Sequence, residues 1–168
     1  MTHIEVSERG QPIAFSFEDM MKYHGPGSPG GVAMAFKVME RAFVVLSPEG
    51  PPQRREISVR TSFGGPGARD GFEAVTRALT GERYTVDAAL ARPELGRERE
   101  RFVFVLSYAQ RSVTLLLRDG FVVPEFIDLV RTDDRTDEQK ERLEVLKGEL
   151  AERVMAAAAA DVYDVDGG

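Results

Sequence analysis

The chain has 168 residues, of which 42% are hydrophobic and 30% are charged, as in an ordinary globular domain. It has no cysteine, which excludes disulfides, cysteine-ligated zinc, iron–sulfur clusters and thiol nucleophiles. A net charge of −6 argues against binding to nucleic acid or an anionic membrane, and no apolar run reaches the roughly 20 residues of a transmembrane helix. The N-terminus "MTHIEVSERG" lacks a secretory-signal pattern, so we expect a cytoplasmic protein.

The first third of the chain predicts a short strand and two helices. The strand covers Thr2 to Val6, and residues 12–15 lead from it into the first helix. Ser16 can cap that helix, which must end at the "HGPG" stretch because glycine and proline interrupt it. A second helix from about Gly31 to Phe43 has apolar residues on most sides, so we expect it to be buried.

The middle of the chain repeats this arrangement after a strand. "EISVRTS" alternates in polarity over residues 56–62 and predicts a strand. The stretch "FGGPG" that follows is a second Gly-Pro-Gly loop, and a helix is predicted from about Asp70 to Leu79, closed by Gly81. Asp70 is a good candidate for the N-cap of this helix. Another short strand is predicted over residues 83–88.

The last part of the chain predicts a hairpin and two more helices. The β-rich runs "ERFVFVLSY" and "SVTLLLRDG" are joined by a short turn, and a short helix begins at Pro124. A long, charged helix is predicted from Thr136 to about Ala160. It has a narrow apolar stripe that can pack on the domain surface or on another chain. That stripe consists of Leu143, Leu146, Leu150, Val154 and Met155.

These elements predict an α+β fold, with a mixed or antiparallel sheet, helices packed on it and a long C-terminal helix. Helices and strands are interspersed without a regular β–α–β alternation, and the hairpin favours antiparallel pairing. We expect residues 1–160 to form a single domain and residues 161–168 to be a flexible tail.

The stretch "YHGPGSPGG", Tyr23 to Gly31, is the first candidate site. The backbone N–H groups of Gly30 and Gly31 lie at a predicted helix start, where they can bind an anion or a carbonyl oxygen. His24, one of two histidines, lies at the edge of this loop and can donate to a ligand, accept a proton or bind a metal. The simpler interpretation is a helix–loop–helix connection in which His24 caps its own helix.

The second loop, "TSFGGPGARDG", adds two charged residues at the next helix start. Asp70 is either a helix cap or a second ligand anchor, and Arg69 is either a surface ion-pair partner or an anion contact. Asp70 and Glu73 lie one turn apart and can hold a hard cation, although such spacing is more often a solvated helix face. The mixed-sign run "RPELGRERER" is typical of a solvated loop.

The segment "FEDMMKYHGPGSPGGVAMAFKVMERA" resembles the signature of the FmdE-like family of formylmethanofuran dehydrogenase proteins. In that family a helix ends in His-Gly-His-x-Cys-Pro-Gly and a buried helix rich in alanine and glycine follows. The positions that match are His24, Gly25, Pro29 and Gly30. The second histidine of the motif is replaced by Pro26 and the cysteine by Ser28.

A second family segment, Cys-x-x-Asp at a helix start, is similar to the stretch before Asp70. Asp70 stands at the aspartate, whereas Gly67 stands at the cysteine. The resemblance covers residues 17 to 86 and, more weakly, the hairpin that follows. It implies an α+β fold that is frequently dimeric, an association with molybdenum or tungsten formylmethanofuran dehydrogenase, and in some members a metal bound by His and Cys.

The metal site implied by the resemblance is not expected in this chain. Both thiols and one imidazole are absent, and a soft metal site needs them. His24 and Asp70 alone would hold a divalent metal only weakly, so a metal is the minor alternative and no other cofactor is favoured. We expect the pocket itself to persist and to bind an organic or anionic small molecule.

Our leading hypothesis is therefore an FmdE-like homodimer with a pocket under the two Gly-Pro-Gly loops. His24 would be a polar anchor or an acid–base group. The expected ligand-binding residues are Tyr23, Gly25, Ser28, Gly30, Gly31, Arg69 and Asp70. The alternatives are a non-enzymatic accessory or assembly protein that uses the C-terminal helix, and a residual metal-binding protein. We expect no nucleic-acid or membrane partner.

Overall fold

The computed structural model describes residues 2–167 and confirms the α+β class. A two-stranded hairpin precedes a five-stranded sheet with the strand order β4-β3-β5-β6-β7, in which only the β3–β4 pair is parallel. The strands are β1 Ile4–Glu8, β2 Gln11–Phe15, β3 Ser58–Thr61, β4 Tyr84–Val86, β5 Val103–Tyr108, β6 Arg111–Leu117 and β7 Tyr163–Val165. The helices are α1 Phe17–His24, α2 Pro29–Leu46, α3 Pro66–Thr76, α4 Pro124–Val130, α5 Asp137–Ala156 and α6 Ala159–Val162.

Helix α2 is the centre of the hydrophobic core. It contacts α3 and α5 on its flanks and strands β5, β6 and β7 of the larger sheet. Phe36, Met34 and Met39 of this helix are fully buried. An apolar pattern that covers most of the helix surface is what a helix enclosed by other elements requires, and the sequence predicted this burial correctly.

Small residues allow α2 and α3 to approach each other closely. A Cβ placed on Gly31 would lie 2.8 Å from the backbone nitrogen of Ala68, and a Cβ on Gly71 would lie 2.9 Å from the Cβ of Ala35. Because the opposing atoms, a backbone nitrogen and a Cβ, cannot turn away, these positions do not have room for a larger side chain. This contact brings the starts of both helices, and so both Gly-Pro-Gly loops, to one place.

Helix α5 packs on its own domain. Thr136 caps it, and its side chain accepts a hydrogen bond from the backbone of Gln139, whose side chain in turn accepts one from the backbone N–H of Thr136. The four apolar residues Leu143, Leu146, Leu150 and Val154 are buried against the rest of the chain, whereas Met155 is partly buried. Of the two alternatives for the stripe, the structure therefore shows packing on the domain surface.

Several element boundaries differ from the prediction. Residues 11–15 form strand β2, because the turn at Arg9 and Gly10 pairs them with β1. Helix α3 begins at Pro66, four residues before the predicted start, so Asp70 lies inside the helix and Gly65 is the cap residue. The structure corrects the assignment of Asp70 as a cap. Proline at the first helical position needs no hydrogen bond for its nitrogen, which allows the earlier start.

The segment from residue 161, which we expected to be a flexible tail, contains strand β7. It pairs antiparallel with β6, and the side chain of Tyr163 is 0% exposed. The pairing and the burial of this large aromatic ring make residues 163–165 part of the folded core. Met1 and Gly168, the ends of the predicted domain and tail, lie outside the described residues. None of the described helices is long and apolar enough to cross a membrane.

Candidate ligand-binding site

A cavity of about 530 Å³ lies where the two Gly-Pro-Gly loops meet. Ser28, Gly30 and Gly31 of the first loop line one side of it, and residues 63–67 of the second loop adjoin them. The remaining wall comes from Arg97, Arg101 and Phe102, from α4 with the segment after it, and from α5. This volume is in the range of pockets that bind small organic molecules in proteins.

Both long helices of the α2–α3 contact begin at the cavity. Each has proline at its first position, Pro29 in α2 and Pro66 in α3, followed by glycine. The N–H groups of Gly30, Gly31 and Gly67 fall in the first turn, where a helix has no internal acceptor for them. The hydroxyl of Ser28 makes no capping hydrogen bond. These groups give the cavity hydrogen-bond donors and the positive ends of two helix dipoles.

Aromatic and aliphatic side chains form the rest of the wall. The rings of Phe63 and Phe102 are stacked with centroids 4.6 Å apart and planes at 30°. Phe126 and Ile127 of α4 and Leu143 of α5 line the same cavity. When a ligand binds in this cavity, contact with the wall removes water from the apolar part of the ligand as well as from its polar groups.

Five cationic side chains line the cavity, and no carboxylate of the described chain lines it. They are Arg97, Arg101, Arg131, Arg135 and Lys147. In a chain with a net charge of −6, this separation of charge is a local feature that the composition does not predict. It favours a negatively charged occupant.

Three of the five cations are paired with acids outside the lining. Arg97 bonds to Asp128 at 2.5 Å, and Arg131 lies 3.1 Å from Glu100. Lys147 lies 3.1 Å from Glu144, and its ammonium also donates to the carbonyl of Gly27 in the first loop at 3.2 Å. The last bond ties α5 directly to the "HGPG" stretch.

The other two cations have no carboxylate partner within residues 2–167. Arg135 donates from Nε to the carbonyl of Leu129 at 2.6 Å and from Nη2 to that of Val130 at 3.0 Å, so it covers the C-terminal end of α4. Arg101 is exposed, and its side chain makes no hydrogen bond or ion pair with the described residues. Neither positive charge is therefore paired with a carboxylate of the described residues.

His24 and Asp70 are hydrogen-bonded to each other beside the cavity, outside its lining. The Nδ1–H of His24 donates to Oδ2 of Asp70 at 2.8 Å, and 8% of the His24 side-chain surface is exposed. The other ring nitrogen, Nε2, is buried and has no hydrogen-bond partner in the described chain. It faces the backbone of Gly27, since a Cβ placed there would lie 3.9 Å from it.

Asp70 stays ionised in this arrangement. Burial alone would raise its pKa, but the hydrogen bonds from His24 and Arg69, together with their charges, hold the pKa of Asp70 below its ordinary value. The Nε of Arg69 lies 3.2 Å from Oδ1 of Asp70. Since the ionised carboxylate accepts the Nδ1 proton, Nε2 of a neutral His24 is left as the acceptor nitrogen.

The residues predicted from the sequence thus fall into two neighbouring groups. Ser28, Gly30 and Gly31 line the cavity, whereas His24, Arg69 and Asp70 form the adjacent polar cluster. Tyr23 is 57% exposed, and Gly25 ends α1 with a φ of 89°, a conformation that favours glycine. Their roles in binding stay predictions. In the described chain, no group of three or more His, Cys, Asp or Glu side chains has the arrangement of a metal site.

Sequence reasoning missed all five cations of the cavity. Arg97 and Arg101 lie in the mixed-sign run that we interpreted as a solvated loop, and the other three come from α5 and the segment before it. The only signal in the sequence was spacing, because Arg97 and Arg101 are four residues apart, as are Arg131 and Arg135. That signal is weak for residues outside a continuous helix.

The chain matches no protein-family model, and no curated protein matches it in sequence. The resemblance to the FmdE-like family therefore depends on the motif residues alone.

Proposed function

We propose that this protein binds an anionic small molecule in the cavity between its two Gly-Pro-Gly loops. The observation that carries the proposal is the lining: five cationic side chains and no carboxylate of residues 2–167, in a chain that is acidic as a whole. A negative ligand is attracted to such a concavity more strongly than to an exposed cluster, because apolar walls reduce screening by water.

The loop geometry supports the same conclusion independently of the side-chain charges. The starts of α2 and α3 supply first-turn N–H groups from Gly30, Gly31 and Gly67. Donors of this kind bind phosphate or carboxylate oxygens and need no movement of a side chain. A side chain at Gly31 or Gly67 would collide with the neighbouring loop, so the glycines allow the two helix starts to lie side by side.

A second candidate function is acid–base chemistry at His24. An imidazole that is fixed by a carboxylate on one nitrogen and has a free second nitrogen is the arrangement that general bases use. Nε2 is buried beside Gly27, so this function requires a local movement that exposes it. It is favoured over a metal site, since the described residues contain no group of three or more His, Cys, Asp or Glu side chains that could hold a metal ion.

We retain the FmdE-like relationship as part of the proposal. The motif residues His24, Pro29 and Gly30 lie beside or at the cavity, so the resemblance and the geometry concern the same region. The homodimer implied by the family and a cytoplasmic location stay predictions, and light scattering of the full chain tests the first. The assembly alternative is weaker, because the apolar stripe of α5 is buried in its own domain.

Thermal shifts with simple anions test the proposal. Phosphate, sulfate and citrate should raise the melting temperature above that in chloride at equal ionic strength, because a ligand that binds only the folded state stabilises it. Arg101→Gln should reduce this shift by at least half. Arg111→Gln is the matched control, since Arg111 is also exposed and lies outside the cavity. Equal shifts for both variants would contradict an anion site at this cavity.

A further inference from the structure

We propose that the ligand of this cavity is a phosphate monoester that carries a planar ring. This inference depends on the proposed function above, because it specifies the chemical class of the anion that the cavity binds. Three features of the cavity support it: the number of cations without a carboxylate partner, the kind of hydrogen-bond donors and the aromatic character of the apolar wall.

The charge of the ligand follows from the pairing of the cations. Asp128, Glu100 and Glu144 neutralise Arg97, Arg131 and Lys147 respectively. This leaves Arg101 and Arg135 without a carboxylate among the described residues, so the cavity has an excess of two positive charges. A phosphate monoester carries close to two negative charges at neutral pH, whereas a carboxylate carries one.

The donors also fit a phosphate better than a carboxylate. A phosphate monoester has three terminal oxygens and accepts hydrogen bonds from several directions. The cavity offers first-turn amides from two different helices, the Ser28 hydroxyl and the guanidinium of Arg101. Helix starts and guanidinium groups are the groups that proteins use most often for this anion.

The apolar wall favours a ring over a flexible chain. Phe63 and Phe102 form a stacked pair at the cavity, and Phe126 lines it from α4. Aromatic rings attract each other in offset or edge-on arrangements, and this attraction adds to the stabilisation that comes from burying apolar area. Guanidinium groups stack on planar systems as well, so the arginines can contact both parts of such a ligand.

Calorimetry with four probes tests each part of the inference on the full chain. The probes are 1-naphthyl phosphate, 1-naphthoate, octyl phosphate and inorganic phosphate. We expect 1-naphthyl phosphate to bind at least tenfold more tightly than each of the other three. 1-Naphthoate retains the ring and loses one charge, octyl phosphate retains the charge and loses the ring, and inorganic phosphate lacks an apolar part.

The outcomes separate this inference from the proposed function. If 1-naphthoate or octyl phosphate binds as tightly as 1-naphthyl phosphate, the phosphate or the ring requirement is wrong, whereas the anion pocket stands. If none of the four binds, both the inference and the proposed function fail. Arg101→Gln should weaken binding of 1-naphthyl phosphate about tenfold, and Arg111→Gln should leave it unchanged. Equal affinity of the Arg101→Gln variant and the wild type would place the ligand elsewhere and overturn the inference.

Discussion

The Cα of Gly67 faces the backbone of Ser28 so closely that a side chain at position 67 would overlap the Ser28 carbonyl oxygen. This contact joins the start of α3 to the start of α2 and fixes the two loops that line the cavity. Because the opposing atom belongs to the backbone, it cannot turn away as a flexible side chain would.

We therefore expect Gly67→Ala to destabilise the fold by about 2 kcal/mol or more, in spite of the better helix propensity of alanine. Gly64→Ala is the matched control, because a Cβ there meets nothing within 4 Å. Urea unfolding measures both variants. If Gly67→Ala proves as stable as the control, the close contact between the loops does not exist in solution.

Because Asp70 is hydrogen-bonded to His24, we expect substitution of Asp70 to reduce stability more than substitution of its neighbour Arg69. Asp70→Ala leaves the largely buried Nδ1 of His24 without its acceptor, which costs about 1–3 kcal/mol. Arg69→Ala should cost less than about 0.5 kcal/mol, since its side chain is 47% exposed and its ion pair is screened by solvent. Equal losses in chemical denaturation would argue against a specific role of Asp70 in holding His24.

We expect the carboxylate of Glu73 to make a contribution to stability that depends on pH. Its buried carboxylate accepts hydrogen bonds from the N–H of Leu79 at 2.9 Å and from the N–H and hydroxyl of Thr80, so it closes the end of α3. Burial raises the pKa of Glu73, but these hydrogen bonds and the charge of Arg77 outweigh it, and the pKa lies below its ordinary value of 4.5. This carboxylate is therefore already engaged and does not form the cation site with Asp70 that the sequence left open.

A depressed pKa in the folded state means that the stabilisation is present above the ordinary, unfolded-state pKa and is lost as the pH falls through the folded value. We expect Glu73→Gln to cost about 2 kcal/mol at pH 7, as for a hydrogen-bonded charge, and progressively less as the pH falls below the ordinary pKa of a glutamate. Unfolding curves of both proteins from pH 3 to 8 measure this. A difference that does not change with pH would show that ionised Glu73 contributes nothing.

From the contacts of Tyr163 we expect strand β7 to be essential to the hydrophobic core. Its ring is fully buried, packs edge-on against Phe104 at 5.7 Å between centroids, and its hydroxyl donates to the carbonyl of Met34 at 3.3 Å. Tyr163→Ala should cost about 3–5 kcal/mol, as for other buried aromatic residues.

The matched control at this position is Tyr163→Phe, which removes only the hydroxyl and should cost about 1 kcal/mol. Thermal and urea denaturation of the two variants separates ring packing from the hydrogen bond. A small effect of Tyr163→Ala would mean that residues 163–165 do not form part of the folded core.

Much of the fold was predictable from the sequence because its signals are local. Ser16 and Thr136 start helices through capping boxes, since each side chain bonds to a backbone group only three residues away. The apolar pattern of α2 marked it as a buried helix, and the paired β-rich runs marked the β5–β6 hairpin. Each of these signals is complete within a few consecutive residues.

The sequence by itself determined most of the elements, the α+β class and the position of the first Gly-Pro-Gly loop. Only the tertiary structure decided that Arg97, Arg101, Arg131, Arg135 and Lys147 converge on that loop, because they come from separate segments that α4 and α5 bring together. It also decided that Asp70 bonds to His24, 46 residues earlier in the chain, and that Tyr163 is part of the core. These features depend on long-range packing, which local periodicity and capping do not encode.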